Sequence, residues 1–185
     1  MQAPVIDILK REHSNMRSVL VLIGGQLDAL EHGGQADFVL LANALYYMRK
    51  FPSQVHHPKE DLIFDRLVVG DSSYAREVER IREQHQQIYE LEEWLVDMAL
   101  QNPLPHSTER QRLIEFGRHY LQLQREHCMT EEKALFPRAA GVLTKKDWVM
   151  VSNLVKEIED PLFGKHRGER FQSLYDYIMR ESASV

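Results

Sequence analysis

Apolar residues recur every three or four positions through four long segments of this 185-residue chain, and this spacing strongly constrains its fold. The spacing places apolar side chains on one face of an α-helix. No segment sustains the alternation typical of a β-strand over a useful length. Turn-forming residues at 33–34, 70–73 and 102–105 separate the four segments. The pattern therefore predicts an all-α chain with four amphipathic helices.

Four such helices joined by short turns predict an antiparallel up-down four-helix bundle, which we assign to residues 1–140. The second helix contains Pro52 and Pro58. Because each proline removes a backbone donor and clashes with the preceding turn, we expect a kink or a break there. Residues 141–185 predict two shorter helices, which we interpret as a C-terminal extension packed on the bundle.

Composition and charge exclude several classes of partner. The net charge is −5, so the chain has no electrostatic reason to bind nucleic acid or an anionic membrane. No apolar run approaches the roughly 20 residues that a membrane-spanning helix needs. The single cysteine, Cys128, cannot form an internal disulfide, which is typical of a cytoplasmic protein. We expect a monomer or a weak homo-oligomer.

Six side chains that can bind a metal ion interrupt the apolar faces of the four helices. They are His13, His56, Glu60, His85, His127 and Glu131. Each glutamate follows a histidine by four residues, so its carboxylate lies on the same helix face as the imidazole. The arrangement also repeats, because 43 residues separate the first two histidines and 42 separate the last two. The repeat predicts a pseudo-twofold cluster at the centre of the bundle.

Two carboxylates that meet in an apolar core indicate a metal site. Buried carboxylates are rare unless they are paired, and two of them repel each other unless cations hold them. Imidazole and carboxylate without thiolate favour iron, with manganese or zinc as alternatives. Six ligands with twofold repetition favour two ions, joined by an oxide or hydroxide that offsets their charge. Positions left free on octahedral ions would bind dioxygen, nitric oxide or peroxide.

The two His-x-x-x-Glu motifs have distinctive contexts. Residues 56–61 read His-His-Pro-Lys-Glu-Asp, and residues 127–137 read His-Cys-Met-Thr-Glu-Glu-Lys-Ala-Leu-Phe-Pro. Together with the two other histidines, these motifs resemble the hemerythrin-like (HHE cation-binding) domain over about residues 4–140. The resemblance implies a non-heme di-iron centre with the six residues above as ligands. For the open position of such a centre we consider oxygen or redox sensing or stress protection, with weak peroxide or nitric oxide turnover as a second hypothesis. The ligand set is also similar to that of bacterial iron-centre repair proteins, and iron storage or delivery is a further alternative.

Several neighbouring residues have more than one interpretation. Tyr89 is a candidate to hydrogen-bond a bound oxygen species or to serve as an extra ligand, and it can equally be a boundary tyrosine. Tyr120 is a candidate neighbour of the ligands, although core packing is the simpler role. The pair His57 and Asp61 has the same four-residue spacing as His56 and Glu60. The apolar face favours the latter pair, so we expect His57 to be flanking or exposed.

The remaining polar candidates are assigned roles outside the metal site. Cys128 is expected to be an inert, partly buried thiol, because one residue along an α-helix turns the side chain by about 100°. Glu83, Asp61 and Glu132 are candidate acceptors for the imidazole protons that face away from the metal. The histidines expected at the surface are His32, His106, His119 and His166.

Overall fold

The computed structural model describes residues 4–101, 107–155 and 158–182, and the regular structure in these ranges is helical. The α-helices are α1 (Pro4–Glu31), α2 (Phe38–Phe51), α3 (His57–Gly70), α4 (Ala75–Gln101), α5 (Ser107–Thr130), α6 (Phe136–Val142), α7 (Lys145–Leu154) and α8 (Gln172–Ser182). Short 3₁₀ turns at Ser72–Tyr74 and Glu169–Phe171 precede α4 and α8. The all-α prediction is confirmed. The turn expected at 102–105 and His106 lie outside the described residues.

Four long helical segments form the body of the protein. The first is α1, the second runs from α2 into α3, the third is α4, and the fourth runs from α5 into α6. Helix α1 packs against α2 and α5, and α4 packs against the same two helices. These contacts close a ring of four segments around one interior.

A π-helical turn interrupts the second segment at Pro52–His56, where the two prolines predict a kink or a break. Pro58 follows it in the first turn of α3, where its missing backbone donor costs little. A second π-turn, Glu131–Leu135, joins α5 to α6, and the sequence analysis did not predict it. Each π-turn contains a site residue, His56 in one and Glu131 in the other. Such turns are frequent at functional sites.

Local capping fixes the ends of several helices. After α1 the backbone reverses at Gly33, whose φ of 76° is a conformation that glycine adopts readily. The Asp37 carboxylate accepts a hydrogen bond from the Leu40 amide at 2.9 Å and caps α2. The Asp71 carboxylate accepts one from the Ser73 amide at 3.1 Å, where the chain turns towards α4. These caps place the starts of α2 and α4.

The interior consists of two apolar clusters with a polar layer between them. The smaller cluster is built from α1, α3, α4, the α5–α6 segment and α7, and the larger one from α1, α2, α4, α5 and α8. Along α1, His13 lies between Leu9 of the smaller cluster and Met16 of the larger one. His85 occupies the same place along α4. The six candidate ligands therefore sit in a layer enclosed by hydrocarbon above and below.

The C-terminal helices pack against this body. Side chains of α8, including Leu174 and Ile178, belong to the larger cluster, and Val151 of α7 belongs to the smaller one. Asp160 accepts a hydrogen bond from the Tyr47 hydroxyl at 3.0 Å and so ties the intervening loop to α2. The division of the chain at residue 140 stays a prediction. Within the described ranges, no helix combines the length and the apolar character needed to cross a membrane.

Candidate metal centre

The structure brings all six predicted side chains to one point in the interior. They are His13 from α1, His56 from the first π-turn, Glu60 from α3, His85 from α4, His127 from α5 and Glu131 from the second π-turn. Five of them are buried, whereas the side chain of His85 is 12% exposed. One side chain of the centre therefore approaches solvent.

Glu60 spans the cluster between the two pairs of histidines. Its Oε1 atom lies 3.0 Å from His56 Nε2 and 3.5 Å from His13 Nε2. Its Oε2 atom lies 3.5 Å from His85 Nε2. The two oxygens of this carboxylate thus face different imidazole pairs, as they do in a carboxylate that bridges two ions.

Glu131 repeats the arrangement from the opposite side. Its Oε1 atom lies 3.3 Å from His127 Nε2 and 3.7 Å from His85 Nε2. Its Oε2 atom lies 3.3 Å from His13 Nε2. Two donor groups on one metal ion with bonds of about 2.1 Å stand roughly 3–4 Å apart, so these separations suit shared ligation.

The donor atoms of the cluster have no hydrogen-bond partners. These eight buried atoms are the Nε2 atoms of His13, His56, His85 and His127 and both carboxylate oxygens of Glu60 and Glu131. Leaving buried polar atoms without partners is costly, and native proteins avoid it. Here every such atom points towards the same interior point. The chemistry of these donor atoms therefore fits bound metal cations.

Charged side chains hold the outer nitrogens of the first two histidines. The Nδ1 atom of His13 lies 2.9 Å from Glu132 Oε1, and Arg17 donates to the same oxygen at 2.8 Å. Of the three acceptors proposed from the sequence, Glu132 is the one that takes this role, because Asp61 pairs with Arg82 and Glu83 is exposed.

Sequence reasoning missed the corresponding acceptor for His56. The Nδ1 atom of His56 lies 2.8 Å from Glu12 Oε2, and Lys59 forms a buried ion pair with the other oxygen of Glu12. No local signal identifies this triad, because its members come from two different helices. For His127, the Nδ1 atom faces the Gln84 side-chain oxygen at 3.3 Å.

The electrostatics of the cluster keep the Glu60 and Glu131 carboxylates ionised. Burial by itself would raise the pKa of Glu60, but the neighbouring imidazoles outweigh it and hold that pKa well below its usual range. The pKa of Glu131 is likewise lowered by His127, His13 and His85, although burial and Glu60 oppose this. Burial opposes protonation of His85, yet the two nearby glutamate carboxylates raise its pKa to about 9. Two ionised carboxylates in this interior favour binding of cations.

His57 lies closer to the centre than expected. Its ring stacks on the ring of His85 with centroids 3.8 Å apart and an angle of 14°. It also meets His127 edge to face at 6.0 Å. The expectation that His57 flanks the site holds, but the residue is half-buried rather than exposed.

The structure also locates the two tyrosines. Tyr89 is half-buried beneath the Arg49 guanidinium, whose Nη2 atom donates to the hydroxyl at 3.4 Å. It lines a cavity of about 380 Å³ together with His85. Tyr120 is fully buried, and its hydroxyl donates to Glu92 at 2.8 Å rather than to a ligand. Its hydrogen bond therefore places Tyr120 in the core beside the metal layer.

Glu92 forms an unexpected polar group in this core. It is 2% exposed and accepts hydrogen bonds from Tyr120 and from Gln124 Nε2, the latter at 3.3 Å. Burial raises its pKa to about 8, since its hydrogen-bond donors are neutral. Glu92 also lines the 380 Å³ cavity beside His85. The cavity thus connects a protonatable carboxyl with the exposed edge of the centre.

The remaining expectations have mixed outcomes. Cys128 is buried more fully than expected, and burial raises the pKa of its thiol although the neighbouring His13 opposes this. A raised pKa keeps the thiol protonated, which agrees with the inert thiol predicted from the sequence. His32, His119 and His166 are exposed, as expected.

The ring of helical segments and its buried imidazole–carboxylate cluster define a metal-binding helical bundle. Residues 5–140 match the family described as the hemerythrin HHE cation binding domain. The chain belongs to this family, and the resemblance recognised in its motifs is confirmed. None of the curated proteins compared with the chain matches it.

Proposed function

We propose that this protein holds a non-heme di-iron centre that binds or reacts with a small molecule, namely dioxygen, nitric oxide or peroxide. The observation that carries this proposal is the set of eight buried donor atoms without hydrogen-bond partners. They combine nitrogen and oxygen donors without thiolate, which suits iron better than a closed structural zinc site. A role in oxygen or redox sensing or in stress protection follows from such a centre.

Each iron ion would be held by one pair of histidines and by both glutamates. His13 and His56 would hold one ion, His85 and His127 would hold the other, and both glutamates would contribute to each. When bound, the two ions would supply open coordination positions and the electrons that a small oxidant accepts. An oxide or hydroxide between them would offset the charge that two carboxylates leave uncompensated.

The carboxylates behind the ligands fix the orientation of the imidazoles. Glu132 lies 2.9 Å from His13 Nδ1, and Glu12 lies 2.8 Å from His56 Nδ1. Each interaction selects the tautomer that carries the proton on Nδ1, which leaves Nε2 free to bind metal. Arg17 and Lys59 keep the two carboxylates ionised. These contacts support a centre whose ligands are positioned before metal binds.

Access from solvent is proposed to follow the cavity beside His85. The cavity of about 380 Å³ is lined by His57, His85 and Tyr89. Because Tyr89 lines this cavity, its hydroxyl is a candidate to donate a hydrogen bond to the small molecule. Burial of the other ligands favours a resident centre over iron storage or delivery, since enclosed ligands slow the release of an ion.

The proposal includes the antiparallel up-down topology of the bundle. His13, near the start of α1, contacts Glu132, near the end of the fourth segment. Arg118, early in the fourth segment, pairs with Glu31 at the end of α1. Each of these contacts joins an early residue of one segment to a late residue of the other, which supports opposite directions for the first and fourth segments. The ion pair between Arg49 and Glu93 likewise supports opposite directions for the second and third segments.

Rapid mixing of the reduced, iron-loaded protein with dioxygen, nitric oxide or peroxide tests the reactivity. We expect a new visible absorption band with at least one of the three. A stable, reversible band indicates binding, and continued consumption of the small molecule indicates turnover. The matched controls are His119→Ala, which should behave as the wild type, and Glu131→Ala, which should not react. Absence of reaction with all three molecules would contradict the proposed function.

A further inference from the structure

His57 stands at the edge of the second histidine pair with no role assigned to it. Its ring is nearly parallel to that of His85, at 3.8 Å between centroids, and it meets the ring of His127 edge to face. It is half-buried and lines the cavity beside His85. This fifth imidazole therefore lies beside the second pair of ligands and lines the same cavity as His85.

The π-turn explains how two consecutive histidines can both face the centre. Consecutive residues of an ordinary α-helix point about 100° apart. Here His56 closes the π-turn Pro52–His56, and His57 opens α3. The wider turn changes this relationship, and the two rings lie 5.8 Å apart. Both rings consequently lie among the site side chains.

The donor atoms around His57 are close enough for one ion. One ligand atom each from His57, Glu60, His85 and His127 lies within 4.8 Å of all the others. Two bonds of about 2.1 Å to a common ion span at most about 4.2 Å. Small side-chain shifts therefore suffice to bring the four groups onto one cation.

We propose that His57 is an additional metal ligand, which binds the ion held by His85 and His127. The proposal rests on the proposed di-metal centre and adds one nitrogen donor to one of its two positions. That position then has three imidazoles and two bridging carboxylates, and the position at His13 and His56 keeps two imidazoles and the same carboxylates.

The extra imidazole makes the two metal positions chemically different. With a shared oxide or hydroxide, five protein donors complete an octahedron on the second ion, whereas four leave one open position on the first. An imidazole-rich position binds the later divalent first-row ions more tightly. The two ions should therefore bind in two steps, with the position at His57 filled first.

Titration of the metal-free protein with Co²⁺ in the presence of a competing chelator tests this inference. His57→Phe keeps a flat ring against His85 but removes the donor nitrogen. His57→Glu removes the ring but retains a donor. Loss of a group that only hydrogen-bonds a ligand already lowers metal affinity by about 10–100-fold. We therefore expect His57→Phe to weaken the tighter step by at least about 10-fold, and His57→Glu to recover part of the loss.

The outcomes separate this inference from the function on which it rests. If wild type binds two ions and His57→Phe gives the same titration and the same Co²⁺ spectrum, His57 only stacks and the inference is wrong. If His57→Phe keeps the wild-type affinity for Co²⁺ while His57→Glu loses it, the inference is wrong for the same reason. If the wild type binds no ion, the proposed di-metal centre itself fails. Circular dichroism of each variant, with His119→Phe as the matched control, shows whether the fold is kept.

Discussion

The two halves of the candidate metal centre use similar ligands but hold them differently. The anchored half consists of His13, His56 and Glu60, and the exposed half of His85, His127 and Glu131. In the anchored half, a carboxylate lies within hydrogen-bonding distance of the outer nitrogen of each histidine, and a cation is paired with each of those carboxylates. In the exposed half, the supporting contacts are a neutral amide and a stacked ring. Similar sequence motifs are therefore supported by unequal surroundings.

Because their surroundings differ, the two halves of the centre are suited to different tasks. An imidazole that donates to an ionised carboxylate is fixed in orientation and is a stronger base towards metal. The anchored half should therefore hold its imidazoles in the orientation for binding before metal arrives. The exposed half lies beside a cavity of about 380 Å³, and its supporting groups can move at lower electrostatic cost. It is the half through which a small molecule would approach.

The largest expected effect comes from removal of Glu60 or Glu131, because each carboxylate faces histidines of both halves. Glu131→Ala and Glu60→Ala should each lower the affinity for metal by more than about 100-fold, because both ions lose a ligand. The melting temperature of the metal-loaded protein should fall with it, since bound metal stabilises the fold. Metal analysis and calorimetry measure the two effects. His119→Ala is the control and should change neither; loss confined to one ion would show that the carboxylate does not bridge.

The next effect concerns Glu92, which lines the cavity of the exposed half. Burial raises its pKa to about 8 from an ordinary value of 4.5, so the folded protein holds this proton more tightly than the unfolded chain. The contribution of Glu92 to the free energy of unfolding should therefore fall by a few kcal/mol as the pH rises from about 4.5 to 8, and level off above. Glu92→Gln should remove this dependence. Denaturant unfolding of the wild type and of Glu92→Gln at pH 5 and pH 8.5 measures this change in the free energy of unfolding. The same change in both proteins would contradict a protonated Glu92.

Glu12→Gln should weaken the anchored half without removing a ligand. The neutral amide supports His56 less well and leaves Lys59 without its buried counter-ion. We expect metal affinity to fall by about 10–100-fold. Competition with a chelator measures this change, and Lys59→Met, which disrupts the same triad from the other side, should give a loss in the same direction. An unchanged affinity in both variants would mean that this triad does not support the ligand.

The smallest effect is expected for Gln84→Ala in the exposed half. The amide oxygen lies 3.3 Å from His127 Nδ1, which is a long, uncharged contact. Metal affinity should therefore fall by less than about 10-fold, below the range for charged outer partners. The same chelator competition gives the value. If Gln84→Ala lowers metal affinity more than Glu12→Gln does, the anchored half is not the more strongly supported one.

Much of the fold could be predicted because helical spacing is a local property of the sequence. The apolar faces predicted the long helices, and the same faces aligned the six polar side chains on the interior. Pro52 and Pro58 marked the interruption of the second segment. The π-turn Glu131–Leu135 was not predicted, because Pro137 lies beyond it and the residues within it are ordinary helix formers.

The surroundings of the site were less predictable for two physical reasons. His57 was assigned to the flank of the site from the apolar face of a regular α-helix, but it follows directly after the π-turn Pro52–His56. Glu12 contacts His56 and Lys59 across a helix interface, and the spacing along one helix contains no information about such contacts. The cluster of six was therefore visible in the sequence, whereas the asymmetry between its halves required the structure.

Metal content tests the central claim most directly. The metal-free protein is loaded with ferrous iron without oxygen and passed through a desalting column, and iron is then measured against protein. The proposed centre predicts two iron ions per wild-type chain and almost none in the double variant Glu60→Ala, Glu131→Ala. Less than one ion in the wild type, or the same content in both proteins, would contradict the di-iron centre.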